Sequence, residues 1–103
     1  MQEFQKNVLH ILKKIPKGRV TTYKEIANAL GVNSPRAVGQ TLKRNAHPEI
    51  FPCYKVVKSD GTIGGYSGNK KSNIKRKIRL LKKDGIEIKK EKIDLEKYFW
   101  GFS

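Results

Sequence analysis

The chain has 103 residues, enough for one domain and too few for two. Its 23 Lys and Arg face 9 acids, a formal net charge of +14 that points to a nucleic-acid partner, with a lysine-rich thermophile surface as the bland alternative. One cysteine rules out an internal disulfide, no apolar run is long enough to span a membrane, and MQEFQKNVLHILKKIPKG is too charged for a signal peptide; a reducing, cytoplasmic setting is the expectation.

Phe4, Val8, Ile11, Leu12 and Ile15 recur on one face of a first helix, which Pro16 and Gly18 should stop. Thr22 and Glu25 have capping-box spacing and open a second helix through Leu30, with Gly31 in its C-terminal turn. Ser34 as N-cap and Pro35 at the first helical position predict a third helix to about Arg44. Two short helices joined through Gly31 outline a helix-turn-helix. On the third, Ala37, Val38, Thr41 and Leu42 suit the inner face, while Arg36, Gly39, Gln40 and Lys43 align on the other side. Glycine inside a helix costs about 1 kcal/mol relative to alanine, so Gly39 suggests close approach of something to the backbone. After a loop, Val56 and Val57 read as a short strand, and Asp60-Gly61 as a turn inside a glycine-rich loop. Ile74, Ile78 and Leu81 give a last helix to Asp84, ended by Gly85, and the apolar tail residues should pack back on the core.

The lone cysteine sits in FPCYKVV, and on its own it would be a buried inert side chain. The run RAVGQTLKRNAHPEIFPCYKVVKSDGTIGGYSG changes that reading. It combines an Arg-Ala-Val-Gly helix start, an Asn eight residues before the Cys, Pro-Cys ahead of a Val pair, and Gly-Gly-Tyr-Ser-Gly beyond it. This block resembles the signature of the O6-alkylguanine-DNA alkyltransferases, over the family's C-terminal DNA-binding and active-site domain. The chemistry suits it: moving an alkyl group off a guanine oxygen needs a soft nucleophile, and the base must leave the stack to be reached.

The resemblance implies a mainly α domain spanning 1–103, winged-helix-like, with a helix-turn-helix and short strands near the Cys. It makes Cys53 the alkyl acceptor, Tyr23 the donor to the departing base, and Asn45 the hinge that orients the Cys network. Val56 would offer its carbonyl to the guanine amino group, with Tyr66 and Ser67 lining the pocket. Arg36 would fill the gap left by the flipped nucleotide, and Ala37, Gly39, Gln40 and Lys43 would join it on the DNA minor groove, where few base-specific contacts are available. The implied partner is duplex DNA carrying O6-alkylguanine, met by a monomer without cofactor or metal.

One departure stands out. The family's Pro-Cys-His-Arg-Val reads Pro52-Cys53-Tyr54-Lys55-Val56 here, so a tyrosine replaces the histidine that helps deprotonate the thiol. The carboxylate that partners that histidine corresponds to Asp84. Tyrosine is a poor base at neutral pH, although it orients water, and Lys55 with the basic field is expected to lower the thiol pKa. The leading expectation is a single-turnover methylated-DNA–protein-cysteine methyltransferase. A lesion-binding protein that performs no transfer is the alternative, and a plain helix-turn-helix regulator the remoter one.

Overall fold

The computed structural model describes residues 3–45, 47, 50–63 and 71–102, with side chains from Ile74 onward in the last stretch. Tyr66 and Ser67 fall outside the described residues. Helix α1 spans Glu3–Ile11 and buries Val8, Leu9 and Ile11. The sequence predicts one helix to Ile15, but the chain tightens into a 3-10 turn over Leu12–Lys14. Pro16 is the reason: it drives the preceding Ile15 out of the α region, to φ −74° and ψ 118°.

Strand β1 (Thr21–Thr22) pairs in parallel with β2 (Val56–Val57), Thr21 opposite Val56 and Thr22 opposite Val57. All four residues are buried. Only the Val pair is legible in sequence, because two-residue strands are too short for alternation to show. The tail joins just before β1: Val20 N–H donates to Tyr98 O at 2.9 Å and Val20 O accepts from Trp100 N–H at 2.8 Å.

Helix α2 spans Tyr23–Ala29, and Thr22 Oγ1 caps it by accepting from Glu25 N–H at 3.0 Å. The Glu25 carboxylate takes another partner than the capping box predicts. Its Oε2 accepts from Phe102 N–H at 3.0 Å, holding the tail against α2. Gly31, at φ +71°, turns the chain toward α3 (Pro35–Lys43), which Ser34 Oγ caps through Ala37 N–H at 3.1 Å. Val38, Thr41 and Leu42 face inward as predicted, and Ala37 is half-buried. The α2–turn–α3 pair is the expected helix-turn-helix.

Helix α4 runs Lys71–Lys83, and a short α5 spans Leu95–Tyr98 behind its Asp94 cap. Gly61 sits at φ +88°, where a Cβ would meet Ile93 O at 2.5 Å, so the Asp60-Gly61 turn docks the tail only with glycine. Two apolar clusters result. One joins α1, α2 and α3 with Cys53 and Val56; the other joins Val20, Val57, Ile63, Leu81, Ile86, Ile93 and Tyr98. Tyr54 packs against both.

Candidate active site

Cys53 lies where the two clusters meet, on a 3-10 turn (Cys53–Lys55) that feeds directly into β2, with its side chain 4% exposed. The segment before it is fixed from two sides. Asn45 Nδ2 donates to Phe51 O at 2.9 Å and Asn45 Oδ1 accepts from His47 N–H at 3.0 Å. The Phe51 ring meets His10 edge-on and lies 5.2 Å from Lys13 Nζ, so α1 braces the same segment. Asn45 thus ties the end of α3 to the residue two before the cysteine.

On the far side of Cys53, the Tyr54 hydroxyl donates to Asp84 Oδ2 at 3.0 Å. The carboxylate that the resemblance implies does reach residue 54. Lys55 is also buried, with Nζ 3.0 Å from Ile15 O and 3.9 Å from Asp84 Oδ2. Burial pushes its pKa down, against an upward pull from Asp84. Lys55 Nζ is thus held by Ile15 O and Asp84 beside the Cys53 turn.

A cation that the Cys53 charge reaches is Lys77, which the sequence analysis does not single out. It is 0% exposed, and its Nζ donates to Val56 O and Ile63 O, each at 2.6 Å. Burial pushes its pKa down to about 7, opposed by attraction to the Cys53 thiolate and reinforced by Lys58. A signal was present: Ile74, Lys77, Ile78 and Leu81 fall at i, i+3, i+4 and i+7, which places this lysine on the apolar stripe of α4. The Val56 carbonyl expected to meet guanine already accepts from Lys77, leaving its second lone pair for any other donor.

Tyr23 opens α2 with its ring 5.9 Å from Lys77 Nζ. Burial, then the Cys53 charge, pushes its phenol up to about 12, so it remains a protonated donor at any ordinary pH. Across the ring lies α3. Arg36, Gln40 and Lys43 are exposed, and Gly39, in the same row, is half-buried beside Tyr23. A Cβ on Gly39 would lie 3.8 Å from the Tyr23 ring, an ordinary contact, so packing within the chain does not demand glycine there. Among the described residues no group of His, Cys, Asp or Glu could hold a metal ion, and no helix is long and apolar enough to cross a membrane.

The described residues thus set a helix-turn-helix beside a buried cysteine on the turn that feeds β2. Residues 3–86 match the DNA-binding domain of 6-O-methylguanine DNA methyltransferase, and the chain belongs to that family. It is 52% identical to a bifunctional methyltransferase/endonuclease of Picrophilus torridus over 85% of this chain and 28% of that one. It is 47% identical to a methylated-DNA–protein-cysteine methyltransferase of Pyrobaculum aerophilum, over 93% of this chain and 53% of the relative. The chain therefore spans about half, or less, of these curated relatives' length. Among solved structures, S. pombe Atl1 bound to DNA containing O6-carboxymethylguanine superposes with TM-score 0.88 at 31% identity, covering 99% of this chain and 98% of that one. The O6-methylguanine-DNA methyltransferase of Pyrococcus kodakaraensis gives 0.73 at 44% identity, covering 84% and 48%.

Proposed function

We propose that this chain binds duplex DNA through α3 and takes the alkyl group of a flipped O6-alkylguanine irreversibly onto Cys53. The observation that carries this reading is a buried Cys53 whose charge is felt by both the Tyr23 phenol and the buried amine of Lys77, two groups that sit together with Nζ 5.9 Å from the ring. Arg36, Gln40 and Lys43 are exposed on the face of α3 available to a groove, and Arg36 near the helix start is the side chain to occupy the vacated stack. Most of the affinity then comes from phosphates and falls with salt.

The chemistry follows from proton positions. Lys77 Nζ donates to the carbonyls of Val56 and Ile63, and as a neutral amine it carries a lone pair. With a pKa of about 7 that lone pair is competent to take the thiol proton near neutrality, and the ammonium so formed stabilises the thiolate. The thiolate forms an S–C bond to the alkyl carbon as the C–O6 bond breaks. The electron pair passes to guanine, which receives a proton from the Tyr23 phenol, and Tyr23 recovers its proton from solvent. A thioether cannot re-enter the cycle, so each chain acts once. Tyr54, whose own proton points at Asp84, positions the turn and does not act as the base.

The second reading is lesion binding without transfer. Two observations favour it: Tyr54 in place of histidine, and the near full-length superposition on Atl1 in its complex with damaged DNA. The name of the Picrophilus relative pairs a methyltransferase with an endonuclease in one chain, so a nuclease is the kind of protein to receive such a lesion. Intact-protein mass after incubation with O6-methylguanine duplex separates the two. One alkyl group per chain, mapped to Cys53 and absent in Cys53→Ser, is the expected result. An unchanged mass with lesion-selective affinity establishes the second reading.

A further inference from the structure

The outer face of α4 lies outside the site described above. Lys75, Arg76, Arg79, Lys82 and Lys83 are all exposed on it. At about 100° per residue, Lys75 and Arg79 point almost opposite to Lys77, with Lys82, Lys83 and Arg76 flanking them. The side of α4 that faces Tyr23 and the Cys53 turn is thus the reverse of the charged one. No carboxylate among the described residues lies within ion-pair distance of these five cations; the ion pairs there are Lys55–Asp84 and Lys89–Glu87. Asp84, the acid nearest in sequence, is engaged by Tyr54 and Lys55.

Helix stability does not account for this row. Lys82 and Lys83 in the last turn complement the helix dipole, but Lys75, Arg76 and Arg79 do not, and the first turn holds no acid. Lys75–Arg79 and Arg79–Lys83 are like-charge pairs at i, i+4, which oppose the helix. A thermostabilising surface network interleaves acids with bases, and none are interleaved here. The row covers about 12 Å from Lys75 to Lys83, a length over which duplex DNA carries several phosphates at about one charge per 1.7 Å of axis. Gly18 packs close to Asp84 O at the end of α4, and Lys17 just before it is exposed.

We infer that the outer face of α4 is a second nucleic-acid surface, which grips the backbone of a second duplex segment while α3 holds the first. The recognition is phosphate-driven and sequence-independent, and it lets one chain bridge two DNA segments or pass from one to another without full release.

The test is a capture assay on the full chain. A biotinylated duplex on streptavidin beads is loaded with protein, washed, and offered a fluorescent duplex of unrelated sequence; captured fluorescence per bound protein is the readout. The natural chain captures the second duplex. Lys75→Gln with Arg79→Gln and Lys83→Gln cuts capture about tenfold or more, while loading on the first duplex stays within about two-fold. Lys75→Arg with Lys83→Arg retains capture, which separates lost charge from a damaged helix. No capture by the natural chain overturns the proposal. So does undiminished capture by the triple variant, since bridging then comes from self-association through α3, and so does a parallel loss of loading, which would make α4 part of the first site.

Discussion

Tyr54 and Asp84, 30 residues apart, are joined by a 3.0 Å hydrogen bond in which the tyrosine donates and the carboxylate accepts. A histidine at the same position would hold a ring nitrogen against Asp84 and turn the other toward solvent or the thiol. Tyr54→His should therefore speed transfer near neutral pH by about a hundredfold, the low end of general-base assistance. Tyr54→Phe removes the donor to Asp84 and should cost about 1 kcal/mol of stability, with slower transfer because the turn carrying Cys53 loosens. Single-turnover rates against pH for the three proteins decide this. Equal profiles would reduce residue 54 to packing.

Lys77 gives a pH signature in stability as well as rate. Its folded pKa of about 7 lies below the ordinary 10.5, so between those values the unfolded chain binds a proton that the folded chain has released. Stability then rises with pH from about 7 upward and is lowest below it. Tyr23 has the opposite sign: raised from 10.0 to about 12, it contributes stability that is lost as pH climbs through that window. Denaturant unfolding across pH 6–11 should trace a rise and then a fall. Lys77→Met should flatten the rising limb while lowering stability overall, since Val56 O and Ile63 O lose their donor. The same variant should slow transfer at neutral pH by about a hundredfold, the scale of lost proton-transfer assistance. A Lys77→Met protein that transfers at the natural rate would remove Lys77 from the chemistry.

Gly39 separates stability from binding. A Cβ there meets only the Tyr23 ring at 3.8 Å, so Gly39→Ala should stabilise the helix by about 1 kcal/mol. If DNA needs the bare backbone beside Tyr23, the same change should weaken duplex binding by about tenfold or more, and Gly39→Val further. Thermal unfolding and fluorescence anisotropy on the same preparations supply both numbers. A stabilised variant with unaltered affinity would show that the groove stops short of this residue.

The helices were readable because their signals are local. Thr22, Ser34 and Pro35 cap where they stand, and inward residues such as Val38 and Leu42 recur at helical spacing. The contacts that assemble the site are long-range and leave little trace in a window. The β1–β2 pairing is two residues long, and the Glu25 carboxylate meets a tail N–H 77 positions away. Lys77 was visible in principle on the apolar stripe of α4, yet a lysine amid apolar residues reads as a snorkelling surface group until Val56 O and Ile63 O are seen to close around it. The partners of Lys55 are equally illegible: adjacency to Cys53 in sequence says nothing about where a 3-10 turn sends the next side chain, and this one sends Lys55 to Ile15 and Asp84.

Asn45 provides the sharpest test of how Cys53 is held. Its Nδ2 donates to Phe51 O and its Oδ1 accepts from His47 N–H, so it spans the segment between α3 and the cysteine. Asn45→Ala loses both bonds and should destabilise the chain by about 2 kcal/mol, at about 1 kcal/mol each. Asn45→Asp keeps the acceptor for His47 N–H but sets a charged oxygen against the Phe51 carbonyl in place of a donor. If the Phe51 bond is what fixes Cys53, Asp should lose as much transfer rate as Ala while losing less stability. Rates on O6-methylguanine duplex, compared at temperatures where both variants remain folded, give the answer. A variant series in which rate merely follows stability would mean that Asn45 holds the fold and has no separate hold on the nucleophile.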